Sequence, residues 1–221
     1  MRITAWPCAA PGGSGEESAL VAGPSDATAR VLIVPALFEE ANRTRRMLAE
    51  TMRLLAERGM ASVMPDLPGC NESLAPLNRQ DVETWRAAIA AAAVHFAGTH
   101  VLAIRGGALV APALPGCLLE PIAGSQVLRP MLRARTIAAR EDGREETMAG
   151  LLESGRIKGI ELAGYCLGAE MIHGLESAEV EHQDAFLSLH DIGGEALWLR
   201  NEPGENYTLS QLLAAQIIEF I

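Results

Sequence analysis

Short apolar runs alternate with helical segments along the first half of the chain, and this alternation constrains the fold more than any other feature. "ARVLIVPAL", "MASVMPDLPG" and "HVLAI" are runs of the kind that a parallel sheet buries on both faces. The segments between them, residues 39–58 and "DVETWRAAIAAAAVHFAG", are typical of helices. Alternating strands and helices imply right-handed βαβ units and a mostly parallel sheet.

The helix at residues 39–58 is the best defined of these segments. Two glutamates stand in its first turn, Gly59 follows its end, and five apolar side chains share one face: Met47, Leu48, Met52, Leu55 and Ala56. We therefore expect residues 31–35, 61–65 and 101–104 to be neighbouring buried strands, with the helix on one face of the sheet.

The remaining segments fit a single domain, residues 1–221, because no linker or repeat divides the chain. "SALVAGP", "LLEPIAG", "GIELAGY" and "EALWLR" are predicted strands, and "LSQLLAAQIIEFI" is the last helix. A polar helical stretch at about 126–155, which contains "REDGREE", suits an inserted helical cap.

Charge and motif content exclude several functional classes. The formal net charge is −10 and the longest basic run is "RTRR", so we expect neither a nucleic-acid nor an anionic-membrane partner. The N-terminus lacks a leader-like apolar core and the Ala-rich run is too short to span a bilayer, which predicts a cytoplasmic protein. The four cysteines form no CxxC pair, and HExxH, GxGxxG and P-loop motifs do not occur. We expect no metal and no cofactor.

The string "AIRGG" at residues 103–107 aligns with the G-x-S-x-G elbow of α/β hydrolases. Arg105 takes the position of the nucleophile, and a guanidinium that stays protonated cannot attack a carbonyl. Leu37 and Phe38, in "PALFEE", stand where that fold supplies one backbone N–H of its oxyanion hole.

A second strand-to-helix turn, "DLPGCNES", carries Asp66, Gly69 and Ser73. It matches a D-x-x-G-x-x-x-S pattern, and we expect Asp66 and Ser73 to hold the loop in place rather than to act on a ligand.

Topology also predicts a partner for Arg105. The turns after "VLIVPAL" and "HVLAI" lie side by side at the carboxyl edge of such a sheet, so Glu39 and Glu40 come within reach of the guanidinium. A half-buried guanidinium must be paired or solvated. We therefore expect Arg105 to face one of these carboxylates, or else an anionic ligand.

Several strings together resemble a known family. The exosortase A system-associated hydrolases of the second type are similar to this chain in the order and spacing of five strings: "PALFEEANRTRRM", "DLPGCNES", "IRGGALVA", "LEPIAGSQVLRPMLRAR" and "IELAGYCLGAEM". Trp85, in the helix after "DLPGCNES", belongs to the same pattern. The resemblance covers roughly residues 18–175. It implies an α/β-hydrolase-like fold in bacteria with exopolysaccharide and PEP-CTERM sorting loci, and an elbow that likewise carries Arg.

The same resemblance implies a shared site of unproven chemistry, made of Glu39, Glu40, Asn42, Arg46, Asp66, Gly69 and Arg105. Beyond about residue 176 this chain is short and departs from the family pattern, so the resemblance assigns no site residue there.

A rival elbow is "GYCLG", a G-x-C-x-G string that resembles the cysteine elbow of dienelactone hydrolases. A Cys166 thiolate would need His190 or His182 as base and Asp184 or Asp191 as orienting group. The position of Cys166 in the chain argues against this hypothesis. In a dienelactone hydrolase the cysteine elbow follows the central strand of the sheet, and in this chain the turn after the central strand carries Arg105. We expect Cys166 to be a mostly buried, inert thiol.

Two functional hypotheses follow. The first is a non-hydrolytic or weakly active α/β-hydrolase-like protein that, as the resemblance implies, is a binding or accessory component of an exopolysaccharide or protein-sorting locus. It would bind a small anionic or acyl ligand, and a homo-oligomer is compatible with the sequence. The second is an esterase or thioesterase that uses Cys166. Trp85 and Trp198 are interpreted as anchors of the core or cap.

Overall fold

The computed structural model describes residues 1–180, 185–200 and 206–221. Seven strands form one sheet in the order β1-β2-β4-β3-β5-β6-β9. Their bounds are β1 Arg2–Pro7, β2 Glu16–Ala22, β3 Arg30–Val34, β4 Ala61–Pro65, β5 His100–Ile104, β6 Gly116–Leu119 and β9 Ala185–Leu187. From β4 to β9 the strands are parallel, while β1 and β2 add an antiparallel hairpin at one edge.

Seven helices accompany the sheet in the described ranges. They are α1 Glu39–Glu57, α2 Val82–His95, α3 Gly124–Glu141, α4 Met148–Lys158, α5 Ala169–Ser177, α6 Leu189–Ile192 and α7 Tyr207–Phe220. Short 3-10 helices occur at Leu77–Arg79, Arg105–Val110 and Leu197–Leu199. A separate hairpin pairs β7, Ile160–Leu162, with β8, Tyr165–Leu167.

The predicted central strands are confirmed, since β4, β3 and β5 are neighbours and Leu32 lies opposite both Val63 and Val101. Alternate residues of β3 enter different cores. Val31 and Ile33 pack with α1 and α7 on one face, whereas Leu32 and Val34 pack with α2, α3 and α5 on the other. This burial on both faces explains why the strands are continuously apolar. The chain therefore has the expected α/β-hydrolase-like fold, a mostly parallel sheet with helices on both faces.

The predicted polar helical stretch forms α3 and α4, which lie in the chain between β6 and β9. Helix α3 buries its apolar side in the core beside α2 and α5, through Val127, Leu128, Met131 and Leu132. The assignment of residues 126–155 as a cap stays a prediction. No helix within the described ranges is long and apolar enough to cross a bilayer.

Three local predictions are wrong. "EALWLR" forms a 3-10 turn in which the adjacent Leu197 and Trp198 both enter the core on the α1 side of the sheet, whereas adjacent residues of a strand point to opposite faces. "GIELAGY" contains a reversal, since Ala163 and Gly164 both have positive φ and fold the chain into the β7–β8 hairpin. The small-residue segment after the turn in "HVLAIRGGALVAPAL" is predicted as a helix, but the chain forms only a short 3-10 helix at Arg105–Val110 and is extended at Ala111.

Candidate functional site

Arg105 stands at a strained turn directly after β5. Its φ is +54°, in the left-handed region that side chains other than glycine seldom adopt. The glycines after it allow the turn to lie close against its neighbours. A Cβ on Gly107 would lie 2.2 Å from the carbonyl oxygen of Pro35, and one on Gly106 would lie 2.8 Å from Val127 Cγ2. The turn thus has the tight geometry of an elbow, with a guanidinium at its tip.

The guanidinium of Arg105 binds the carboxylate of Glu40 with two hydrogen bonds. Nε donates to Oε2 at 3.1 Å and Nη2 donates to Oε1 at 3.2 Å, while Nη1 donates to the carbonyl oxygen of Glu120 at 3.2 Å. The side chains of Arg105 and Glu40 are 15% and 22% exposed. The predicted contact between Arg105 and the glutamate pair is therefore confirmed, in the bidentate form that suits a guanidinium.

Trp198 covers this ion pair. The Cζ atom of Arg105 lies 4.7 Å from the centroid of the Trp198 ring, within the range of a cation–π contact. The carbonyl oxygen of Trp198 accepts a hydrogen bond of 2.8 Å from Arg43 Nη1, and Arg43 Nη2 lies 3.7 Å from Glu39 Oε2. The site therefore holds two arginines and two glutamates in neighbouring pairs.

Phe38 lies buried beside the same turn, at the N-terminus of α1. Its φ of 54° and ψ of −129° are unusual for a side chain other than glycine. Its ring lies 5.6 Å from that of Trp85 and 5.2 Å from that of Tyr165, centroid to centroid. Asn42 Nδ2 donates to the Tyr165 hydroxyl at 3.4 Å, and burial raises the pKa of Tyr165 to about 12. No sequence pattern marks Tyr165 as a member of the site, and the β7–β8 hairpin brings it there.

A cavity of about 510 Å³ opens beside these residues. Its charged lining consists of Glu39, Glu40, Arg43 and Arg105, and most of the remaining wall is apolar, including Leu37, Phe38, Val127, Pro130, Met131 and Trp198. A cavity of this size with a few polar groups among apolar ones is typical of a small-molecule site.

The "DLPGCNES" turn is held by internal hydrogen bonds away from this cavity lining. Asp66 is buried and accepts from Asn71 Nδ2 at 2.8 Å and from Arg45 Nη1 at 3.3 Å. Ser73 Oγ accepts from the Gly69 amide at 2.8 Å and donates to Glu17 Oε1 at 2.8 Å. These contacts give the loop a structural explanation.

Asn42 and Arg46, which only the family resemblance assigns to the site, lie in two different places on α1. Asn42 is exposed beside Tyr165, close to the cavity. Arg46 is exposed farther along α1 and lines a different cleft, next to Arg53 and Tyr207. Arg45, which the resemblance did not name, is the residue that reaches Asp66.

Cys166 lies in the middle of β8, outside the seven-stranded sheet, where it is opposite Glu161. The thiol is exposed, so the expectation of a mostly buried cysteine is wrong. The reason is the hairpin, in which Leu167 faces the core and Cys166 faces outward. Asp191 Oδ2 accepts from Ser188 Oγ at 2.6 Å and His190 is exposed on α6, while His182 and Asp184 lie outside the described residues.

The described ranges contain no group of three or more His, Cys, Asp or Glu side chains that could hold a metal ion. The charged part of the cavity lining consists instead of paired guanidinium and carboxylate groups.

Comparisons with known proteins give only distant similarity. No family model matches the chain, and neither does any curated protein. A haloalkane dehalogenase variant from Bradyrhizobium elkanii is similar at 17% identity over 60% of this chain and 50% of its own, with a TM-score of 0.45. Potato epoxide hydrolase I is similar at 22% identity over 53% of this chain and 40% of its own, with a TM-score of 0.40. The chain thus spans about half or less of these two structures, and they assign it no chemistry.

Proposed function

We propose that this chain is a non-hydrolytic α/β-hydrolase-like protein that binds a small acyl or anionic ligand in the cavity beside Arg105. The observation that carries the proposal is the Arg105–Glu40 pair, which occupies the tip of the elbow. Covalent acyl transfer starts with an activated nucleophile at this place. A protonated guanidinium that is bound to a carboxylate supplies none.

The neighbouring carboxylates do not replace the missing nucleophile. Both oxygens of Glu40 accept hydrogen bonds from Arg105, and Glu39 lies within an ion-pair distance of Arg43. Their negative charge is therefore neutralised by arginines that remain charged at neutral pH. Such an arrangement favours binding over attack on an electrophile.

The lining of the cavity favours a ligand that is mainly apolar. Its wall combines aliphatic and aromatic side chains with the polar groups at one end, so an acyl chain or a compact apolar molecule would bury most of its surface there. By its resemblance to exosortase-associated hydrolases, the protein would serve in an exopolysaccharide or protein-sorting locus, as a binding or accessory component.

One experiment separates binding from hydrolysis. The purified protein is incubated with p-nitrophenyl esters and acyl thioesters of several chain lengths, before and after iodoacetamide. We expect no turnover above background. Thiol-sensitive turnover that Cys166→Ala abolishes would instead establish the esterase or thioesterase alternative, which the exposure of Cys166 permits.

A second measurement tests the cavity directly, with the neutral fluorescent probe N-phenyl-1-naphthylamine. Ala134 lines the cavity from an exposed position on α3, so Ala134→Trp fills the space without disturbing the core. Ala138→Trp, one turn farther along the same helix and also exposed, is the matched control. We expect Ala134→Trp to weaken probe binding about tenfold or more and Ala138→Trp to leave it unchanged. Equal binding by both variants would place the probe elsewhere and overturn the proposal.

A further inference from the structure

We propose that the ligand of this cavity is a single-chain anionic amphiphile, with its apolar chain inside the cavity and its anionic head group bound at the mouth by Arg129 and Arg133 of α3. This inference rests on the proposed function, since it names the class of ligand for the same cavity.

Charge inside the cavity is balanced. The charged side chains of its lining are two arginines and two glutamates, and each arginine lies within ion-pair distance of one glutamate: Arg105 with Glu40, and Arg43 with Glu39. An anionic group of a ligand placed between these pairs would be repelled by the carboxylates of Glu39 and Glu40. The interior therefore suits the uncharged part of a ligand.

On the outer face of α3, two positive charges have no acidic partner among the residues that the structure describes. Arg129 and Arg133 are both exposed and stand one helical turn apart, with no Asp or Glu within four residues of either. Within residues 1–180, 185–200 and 206–221 neither guanidinium has an ion pair or a side-chain hydrogen bond. Two like charges at this spacing destabilise a helix slightly, and an anion between them would reverse that effect.

Other arginines of this region show the contrast. Arg135 binds Glu146, with Nε and Oε2 2.7 Å apart, and Arg144 lies 3.0 Å from Asp142 Oδ2. The chain has a net charge of −10, so acidic partners are abundant. Among the described residues, Arg129 and Arg133 thus form an exposed pair of like charges without an acidic partner.

The two arginines are next to the cavity mouth. Pro130 and Ala134 line the cavity and are exposed, and each directly follows one of the arginines in α3. Consecutive helix residues are about 100° apart around the axis, so the arginines lie on the flank of the face that borders the opening. Their long side chains can reach a head group held there, and guanidinium groups bind phosphate or carboxylate through two parallel hydrogen bonds.

The test is titration calorimetry with dodecyl phosphate, 1-dodecanol and dodecyltrimethylammonium, each below its aggregation concentration. We expect dodecyl phosphate to bind most tightly. Arg129→Ala and Arg133→Ala should each weaken it about fivefold and should leave 1-dodecanol binding unchanged. Arg140→Ala removes the same charge from the same helix about two turns beyond Arg133, and should change dodecyl phosphate binding less than twofold.

Several results would overturn the inference. Equal affinity for the anionic, neutral and cationic amphiphiles would show that the mouth does not select a head group, while the proposed function would still stand. Arginine-dependent binding of dodecyl phosphate that survives Ala134→Trp, or equal binding of inorganic phosphate, would show that the anion is held on the surface without a chain in the cavity. Failure of all the amphiphiles and of N-phenyl-1-naphthylamine would refute the proposed function as well.

Discussion

Arg105 Nε donates to Glu40 Oε2 at 3.1 Å and Arg105 Nη2 donates to Glu40 Oε1 at 3.2 Å, which joins the turn after β5 to the first turn of α1. The two turns follow adjacent parallel strands, so their ends meet at one edge of the sheet. In an α/β hydrolase this edge presents the nucleophile. Here the same position is used to pair a cation with an anion, under the ring of Trp198.

Breaking this pair should lower stability by an intermediate amount. The side chains are 15% and 22% exposed, between the buried pairs that cost about 3–5 kcal/mol to break and the surface pairs worth about 0–1 kcal/mol. We expect Arg105→Ala to reduce the free energy of unfolding by about 1–3 kcal/mol in urea denaturation. Arg53→Ala, which removes an exposed pair with Glu50 on α1, should change it by less than about 1 kcal/mol.

A double-mutant cycle with Arg105→Ala and Glu40→Ala tests whether the two side chains act on each other. Because they share two hydrogen bonds, the double variant should lose less stability than the sum of the single variants. Strict additivity would show that the two side chains do not interact with each other in the folded state in solution.

Gly107 is expected to tolerate no side chain. An added Cβ would lie 2.2 Å from the Pro35 carbonyl oxygen, which belongs to the backbone after β3 and cannot rotate away. Gly107→Ala should therefore destabilise the protein by about 1–3 kcal/mol or more, measured by thermal unfolding. Gly98→Ala is the control, because its Cβ would meet nothing closer than 3.5 Å and its φ is not positive. If both variants unfold at the same temperature, the close contact of elbow and β3 does not exist.

The central fold could be predicted from sequence because its signals are local. Apolar runs buried on both faces mark β3, β4 and β5, and the amphipathic face of α1 matches the side chains that are buried. The Arg105–Glu40 contact followed from topology alone, since the ends of adjacent parallel strands must meet. Topology did not decide between Glu39 and Glu40. That choice depends on where each side chain points along the first turn of α1.

The other members of the site could not be predicted, because distant segments bring them there. Trp198 reaches Arg105 from a 3-10 turn that has no periodicity to detect, and Tyr165 arrives on a hairpin whose two strands have three residues each. The exposure of Cys166 depends on the same hairpin, since one residue of shift would turn its side chain inward. The edge strands β1 and β9 were also missed, because strands with one open edge are less continuously apolar.

The burial of Glu17 should make the stability of the folded protein depend on pH. It is 4% exposed and its Oε2 atom is buried without a hydrogen-bond partner in the described part of the chain. Burial raises its pKa above the ordinary value of 4.5, the hydrogen bond from Ser73 opposes this rise, and the charge of Asp66 adds to it. The folded protein therefore keeps the proton of Glu17 to a higher pH than the unfolded chain does.

The sign of the effect follows from that difference. The contribution of Glu17 to stability is present below pH 4.5 and is lost as the pH rises through the folded-state pKa. The stability of the wild type relative to Glu17→Gln should thus fall as the pH rises from about 4.5 and then level off, measured by urea unfolding at each pH. Glu16→Gln, at the exposed neighbouring position, should show no such trend. A difference for Glu17→Gln that stays constant between pH 4 and pH 8 would contradict a raised pKa.

Trp198 should be the most costly residue of the site to truncate. It is 4% exposed, packs its ring over Arg105 and lines the cavity, so Trp198→Ala removes apolar burial and the cation–π contact together. We expect a loss of about 3–5 kcal/mol in urea unfolding, and a smaller loss for Trp198→Phe, which keeps an aromatic face toward the guanidinium.

The neighbouring Leu199 is 75% exposed, and Leu199→Ala should change stability by less than about 0.5 kcal/mol. Arg43 donates to the backbone carbonyl oxygen of Trp198, so this hydrogen bond does not depend on the side chain and is kept in all three variants. If Trp198→Ala is as mild as Leu199→Ala, the indole does not cover the Arg105–Glu40 pair, and the site is open to water.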